Sequence, residues 1–202
     1  MDENSVIDSG FESLRVGSMH HNLNQIVQFH NHVHGFFNTN LTSSQQDEEL
    51  SQKEKILLKL EYETHLPNNL RQSVFLMMFG HLEEHLYLAW CSNGRNIEEK
   101  NDSADGIKKF KRLFTNLGVE LKTDQDYQLI VDAYKVRSAF IHTAGRVDFI
   151  KKSEELESVV SKHHKFFEIT NKRVNLTNVG ILNFNRSVAA FTEKVTRAAI
   201  RK

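Results

Sequence analysis

The chain has 202 residues, of which 39% are hydrophobic and 26% are charged, values that suit one globular domain with appendages. Lys and Arg together number 26, and so do Asp and Glu. This balance excludes a global positive field, so any site for a polyanion such as RNA must be local.

The single cysteine, Cys91, excludes an intramolecular disulfide. It is predicted to be a small buried hydrophobe rather than a catalytic thiol. The acidic N-terminus lacks the basic and apolar regions of a signal peptide, and no apolar run reaches the roughly 18 residues of a membrane span. The sequence therefore predicts a cytoplasmic protein without a membrane partner.

Apolar residues at helical spacing predict the first elements of the chain. A first helix is expected over 20–38, and an amphipathic helix over 51–64 is expected to end around Pro67. The strongest periodic segment covers 70–91 and carries apolar residues on and off one stripe. This pattern predicts a central helix that is buried on more than one side.

The second half of the chain alternates polar loops with shorter periodic segments. The polar stretch 96–106 predicts a surface loop, after which helices are expected over 107–118, over 124–142 with Asp124 or Asp126 as the cap and a stop at Gly145, and over 151–166. Two β-branched and aromatic segments, 167–170 and 173–176, flank Asn171-Lys172 and predict a short hairpin. A last helix is expected over 184–200.

These elements predict a mainly all-α fold, with a bundle of four to five core helices, an extra N-terminal helix and a small C-terminal β-hairpin. We expect residues 1–18 to form a flexible N-terminus and residues 19–202 to form a single domain.

The segment from Tyr134 to Gly145 contains the most informative motif. Arg137 and His142 lie near the C-terminal end of a predicted amphipathic helix, with the polar Ser138 directly after the arginine. This motif resembles the signature of the HEPN family (higher eukaryotes and prokaryotes nucleotide-binding), in which an arginine and a polar residue precede a histidine. The usual polar residue in the family is Asn or Asp, so Ser138 is a departure.

The resemblance covers about residues 50–150. The helix over 70–91 resembles the first core helix of the family, in which an acidic residue, here Glu83, faces the motif helix. The resemblance implies a helical bundle and a metal-independent endoribonuclease of the toxin or defence kind, with its cleft at a homodimer interface. It also implies an antitoxin or another regulatory partner. Ala144 stands where many such toxins carry a modifiable tyrosine, which puts that form of regulation in doubt.

The geometry of a helix bears on the same motif. At about 100° per residue, the steps from Arg137 to His142 turn by about 140° around the helix axis. One helix therefore does not aim both side chains at a single point. A second copy of the helix, related by a two-fold axis, brings two arginines and two histidines around one cleft.

RNA cleavage without metal needs a base for the 2′-hydroxyl and positive charge for the phosphorane-like state. We predict His142 as the acid/base group, since histidine titrates near neutral pH. Arg137 is predicted to bind the phosphate in the transition state, because its planar fork binds oxygen atoms in pairs. Ser138 is expected to supply a positioning hydrogen bond and Glu83 to orient Arg137 or His142. No cofactor or metal is expected.

Other interpretations remain open. A non-catalytic nucleotide-binding or protein-interaction module of the same family is the main alternative. His81, Glu84 and His85 match the inverted zincin pattern, with a third ligand expected from Glu154, Glu155 or Glu157, although histidines on the polar face of a core helix are favoured.

Two further groups of residues are candidates for binding. The histidines of the first helix, among them His30 and His34, are expected to form a solvated face. A basic patch beside Phe110 and Phe114 is a predicted contact for the RNA backbone, and it consists of Lys108, Lys109, Lys111 and Arg112.

Overall fold

The structure is a computed structural model that describes residues 3–92 and 106–200. Within these ranges the helices are α1 (Glu3–Gln46), α2 (Gln52–Leu60), α3 (Leu66–Ser92), α4 (Lys111–Asn116), α5 (Gln125–Thr143), α6 (Ser153–Lys162) and α7 (Gly180–Ile200). The strands β1 (Phe167–Thr170) and β2 (Arg173–Leu176) form an antiparallel pair. The predicted mainly α-helical fold with a small C-terminal hairpin is confirmed.

The core lies around α3, which packs against α1 and α7, and α7 also packs against α5. Phe75 of α3 is fully buried, and its ring lies 4.6 Å from Phe184, 5.7 Å from Phe140 and 5.7 Å from Phe167. One ring therefore joins α3 to α7, α5 and β1. The central helix is thus covered on more than one side, as the sequence predicts, and buried aromatic rings supply much of that contact.

Helix α1 is much longer than predicted, since it runs from Glu3 to Gln46 rather than over 20–38. Most of the segment predicted as a flexible N-terminus is thus helical, and Val16 and Met19 are buried. Packing of these side chains supports helix where the local sequence signal is weak. The mobility of this segment stays a prediction. None of the described helices is both long and apolar enough to span a bilayer.

The prediction that the second helix ends around Pro67 is wrong. α2 begins at a capping box formed by Ser51 and Glu54, and the chain then passes through a π-helical turn, Glu61–His65, directly into α3. The N–H of Leu66 donates to the carbonyl of Glu61. Proline lacks an N–H and its ring crowds the carbonyl four residues earlier, so a wide turn just before Pro67 lets the helix continue.

The segments that follow agree with the sequence in type and differ in extent. The predicted loop over 96–106 lies outside the described residues except for Gly106. The predicted helix over 107–118 is a 3₁₀ turn, Gly106–Phe110, followed by α4, and it ends before Gly118 at φ +71°. The predicted helix over 151–166 is the shorter α6.

The hairpin forms where the sequence predicts it. Phe167 pairs with Leu176 and Thr170 pairs with Arg173, so Asn171 and Lys172 form the two-residue turn. Both turn residues have positive φ, +51° and +61°, as the tight hairpin turn that matches the twist of two strands requires. The loop between α5 and α6 packs on this hairpin, because the N–H of Val147 donates to the carbonyl of Lys172 at 3.0 Å.

Candidate active site

Helix α5 holds the predicted site residues and has well-defined ends. Asp124 caps its N-terminus, accepting a hydrogen bond from the N–H of Tyr127 at 2.8 Å, and also pairs with Lys194 of α7. At the other end Ala144 and Gly145 have φ values of +49° and +78°, and the N–H of Gly145 donates to the carbonyl of Ala139 at 3.0 Å. The helix therefore stops in a left-handed turn just after His142.

Arg137 lies against α3. Its guanidinium carbon is 5.2 Å from the ring centre of Tyr134 and 5.8 Å from that of Phe79, and its Nη2 atom is 3.9 Å from Oε1 of Glu83. The Arg137 side chain is 23% exposed. Two aromatic rings hold its plane, and 3.9 Å is an ion-pair contact but too long for a hydrogen bond. The two rings and Glu83 therefore position the guanidinium, and its N–H groups do not donate hydrogen bonds to Glu83.

Ser138 and His142 lie one helical turn apart and line a groove of about 340 Å³ between α5 and the segment that contains α6. His142 is exposed, and among the residues that the structure describes its side chain makes no hydrogen bond or ion pair. Phe149, Ile150 and Leu156 supply apolar walls of the same groove. The imidazole is therefore accessible to a molecule in the groove.

Arg137 and His142 do not meet within one chain. Arg137 contacts α3, whereas His142 opens into the groove beside α6. This divergence follows from the turn of about 140° between the two positions of one helix. Glu83 lies beside Arg137, as the sequence predicts for an acidic residue facing the motif helix, and Ser138 lies on the side of His142.

Charges at the groove are weakly positive. Lys135 donates to Glu155 at 2.9 Å, and the ammonium group of Lys152 lies 3.4 Å from the other oxygen of the same carboxylate. The hydrogen bond from Lys135 lowers the pKa of Glu155. Two lysines and one glutamate therefore line the groove, so a phosphate group entering it meets a small net positive charge.

The predicted basic patch lies on the 3₁₀ turn and the start of α4. Lys108, Lys111 and Arg112 are exposed, while Lys109 is half-buried with its Nζ atom 5.3 Å from the ring centre of Phe110. The aromatic neighbours Phe110 and Phe114 are almost completely buried. They belong to the core and are not available to stack on bases. The role of the four basic residues in binding RNA stays a prediction.

The zinc alternative gains no support from the described part of the chain, where no group of three or more His, Cys, Asp or Glu side chains is arranged to hold a metal. The expectation that His81 lies on a polar face is wrong, because its side chain is only 7% exposed. Its ring lies 4.3 Å from that of His85. Burial lowers the pKa of His81 to about 4, and burial also lowers the pKa of His85.

The histidines of α1 are not one solvated face either. His30 is buried, and its ring stacks on that of His34 at 5.9 Å. His20 pairs with Glu193 of α7 at 2.8 Å. These side chains help to seat α1 on the core. Cys91, expected to be buried, is half-buried.

Sequence reasoning missed the residues that shape the groove, namely Phe149, Lys135 and Lys152. Their local sequence gives no periodic signal, and only the fold brings α6 and the turn before it next to His142. No protein-family model matches this chain, and neither the curated proteins nor the solved structures give a match. Any proposal of function for the chain therefore depends on its own residues.

Proposed function

We propose that the protein is a metal-independent endoribonuclease of the HEPN type, of the toxin or defence-related kind, which acts in the cytoplasm as a homodimer. The observation that carries the proposal is the placement of His142. It is exposed, lies one turn from Ser138 in a groove, and follows Arg137 on the same helix. An acid/base group, a hydrogen-bonding hydroxyl and a guanidinium are the groups that RNA cleavage without metal needs.

In the proposed reaction His142 of one copy takes the proton of the ribose 2′-hydroxyl as its oxygen attacks the adjacent phosphorus. The bond from phosphorus to the 5′-oxygen breaks, and that oxygen receives the proton from the His142 imidazolium formed in the first step. The products are a 2′,3′-cyclic phosphate and a 5′-hydroxyl. Arg137 binds the phosphate oxygens as negative charge develops, and Ser138 holds one of them by a hydrogen bond.

The surface around Arg137 supports a dimer. Ile141 lies one turn after Arg137 on α5 and Tyr87 lies one turn after Glu83 on α3, and they are 50% and 45% exposed. Large apolar side chains that flank a charged pair are typical of a protein interface. A second copy packed there places its α5 beside the first, so that Arg137 of one chain meets His142 of the other. An antitoxin or another regulatory partner would cover the same surface.

A second function, the non-catalytic binding module, is favoured by one observation. Arg137 packs on Tyr134 and Phe79 and lies beside Glu83, which is how an arginine with a purely structural role would also be held. In that case a nucleotide or a partner protein binds the groove without being cleaved.

The experiment that separates the two functions is cleavage of labelled single-stranded RNA in EDTA. We expect wild-type cleavage to survive EDTA, to leave 2′,3′-cyclic phosphate ends, and to fall at least about 100-fold in Arg137→Ala and in His142→Ala. The exposed residues His21 and Arg186 provide the matched controls His21→Ala and Arg186→Ala, which should keep wild-type activity.

RNA that binds without being cleaved would favour the binding module. Cleavage that disappears in EDTA, or that persists in both site variants, would contradict the proposed chemistry.

A further inference from the structure

Phe149 is an unusually exposed aromatic side chain for a residue in a well-packed turn. It is 67% exposed, whereas Val147, two residues earlier in the same 3₁₀ turn, is buried. Exposing a large apolar ring to water is unfavourable in free energy. Scattered exposed apolar residues are common, so its meaning depends on how it is held and what it faces.

The ring is held from one side by Arg146. The guanidinium carbon of Arg146 lies 4.5 Å from the ring centre of Phe149. Two hydrogen bonds, at 2.8 Å and 2.6 Å, fix that guanidinium on the carboxylate of Asp148. The backbone of the turn is fixed as well, because the N–H of Val147 donates to Lys172 in the hairpin. The ring is therefore supported before any ligand arrives.

Phe149 lines the groove of the proposed active site. Phe149 lines the groove together with Ser138 and His142, whereas Arg146 is not among its lining residues. Arg146 covers one side of the ring, and Phe149 as a whole stays 67% exposed. Lys135 and Lys152 lie on the same groove and favour a ligand that carries phosphates.

We propose that Phe149 is a stacking platform for an unpaired base of single-stranded RNA, beside the nucleotide that His142 acts on. This inference deepens the proposed function and rests on it for the identity of the ligand. An aromatic face, a supporting guanidinium and nearby lysines match the way proteins hold unpaired bases and the backbone that joins them. Bases in a duplex are stacked on each other, so the platform selects single strands over double strands.

The test is fluorescence-anisotropy binding of a labelled 2′-O-methyl RNA oligonucleotide, which has no free 2′-hydroxyl and cannot be cleaved. We expect Phe149→Ala to raise Kd by roughly 5- to 150-fold, the range of one lost base–aromatic stack. Phe149→Trp should bind within about threefold of wild type, because it keeps an aromatic face. Phe36, which is 62% exposed on α1, supplies the matched control Phe36→Ala, which should bind like wild type.

Three results would overturn the inference. They are a Kd for Phe149→Ala within twofold of wild type, the absence of RNA binding by wild type, and a shift of Phe149→Ala from dimer to monomer in sedimentation, which would make the ring an interface residue. The proposed function fails separately. If RNA binding depends on Phe149 but unmodified RNA is not cleaved, the nuclease is refuted and the stacking platform stands. If unmodified RNA is cleaved but Phe149→Ala leaves the Kd unchanged, the platform is refuted and the nuclease stands.

Discussion

The backbone at Gly106 lies close to the ring of Tyr134, which in turn lies beside the guanidinium of Arg137. Its φ is +54°, and a Cβ atom at this position would lie 2.5 Å from two atoms of the Tyr134 ring. That ring is in turn 5.2 Å from the guanidinium carbon of Arg137. Glycine is therefore required here both by the backbone conformation and by the space that Tyr134 occupies.

Replacing Gly106 tests how tightly the ring of Tyr134, which lies beside Arg137, is packed. Gly118 also has a positive φ, +71°, but nothing lies within 4 Å of a Cβ atom there. We expect Gly118→Ala to lower the free energy of unfolding by about 1 kcal/mol through backbone strain. Gly106→Ala should lower it by about 1–3 kcal/mol more, because the methyl group displaces Tyr134. Urea denaturation of the two variants measures this difference, and equal losses would show that Tyr134 moves aside freely.

At the scale of single residues, the sequence predicted which side chains lie near Arg137 and His142 better than it predicted how deeply individual side chains are buried. Glu83 lies beside Arg137, as expected, and Ser138 lies on the groove with His142. The burial of His81 was not predicted, because its neighbours in the chain do not reveal that α1 covers it. Phe149 was missed for a related reason: an isolated exposed aromatic gives no periodic signal, and its meaning comes from the groove that the fold builds around it.

The interface between α1 and α3 contains a buried histidine that stays neutral. The His81 side chain lies beside the backbone of Met19 in α1, and burial is the main reason why its pKa falls to about 4. The groups that face this site are His85 and Glu84 on α3 and, beside His85, Arg15 on α1. In the unfolded chain the pKa of His81 is about 6.5. Protonation therefore favours the unfolded state between these two values.

This difference predicts a loss of stability in mild acid. The contribution of His81 is constant above about pH 6.5, and the free energy of unfolding falls as the pH drops from there towards 4. We expect the wild type to lose about 2 kcal/mol more than His81→Leu between pH 7.5 and pH 5.0. His21→Leu, at an exposed position of α1, is the control and should follow the wild type. Parallel pH profiles for wild type and His81→Leu would contradict this account.

At the scale of elements, local chemistry decided which predictions were confirmed. The hairpin was predicted correctly because Asn171-Lys172 separates two short apolar segments, and this turn depends on local sequence. The passage through Pro67 was not predictable in this way, since no local sequence signal marks the π-helical turn before it, which lies against α1. The length of α1 likewise follows from its contacts with α3 and α7.

The whole molecule carries as many acidic as basic residues, 26 of each, so the proposed binding of RNA depends on a local arrangement of charge. One chain presents Arg137 against α3 and His142 in the groove beside α6. The proposed active site is therefore complete only when two copies meet, with Arg137 from one and His142 from the other. A single chain would bind RNA in the groove but lack the guanidinium that stabilises the transition state.

The most direct test of this claim is RNA cleavage by a mixture of two inactive variants. Arg137→Ala and His142→Ala are mixed under conditions in which subunit exchange is verified, so that mixed dimers keep one intact Arg137 and one intact His142 in different chains. We predict that activity returns on mixing. It should not return when His142→Ala is mixed with the double variant that lacks both side chains. A mixture that stays as inactive as its two parents would contradict the composite site.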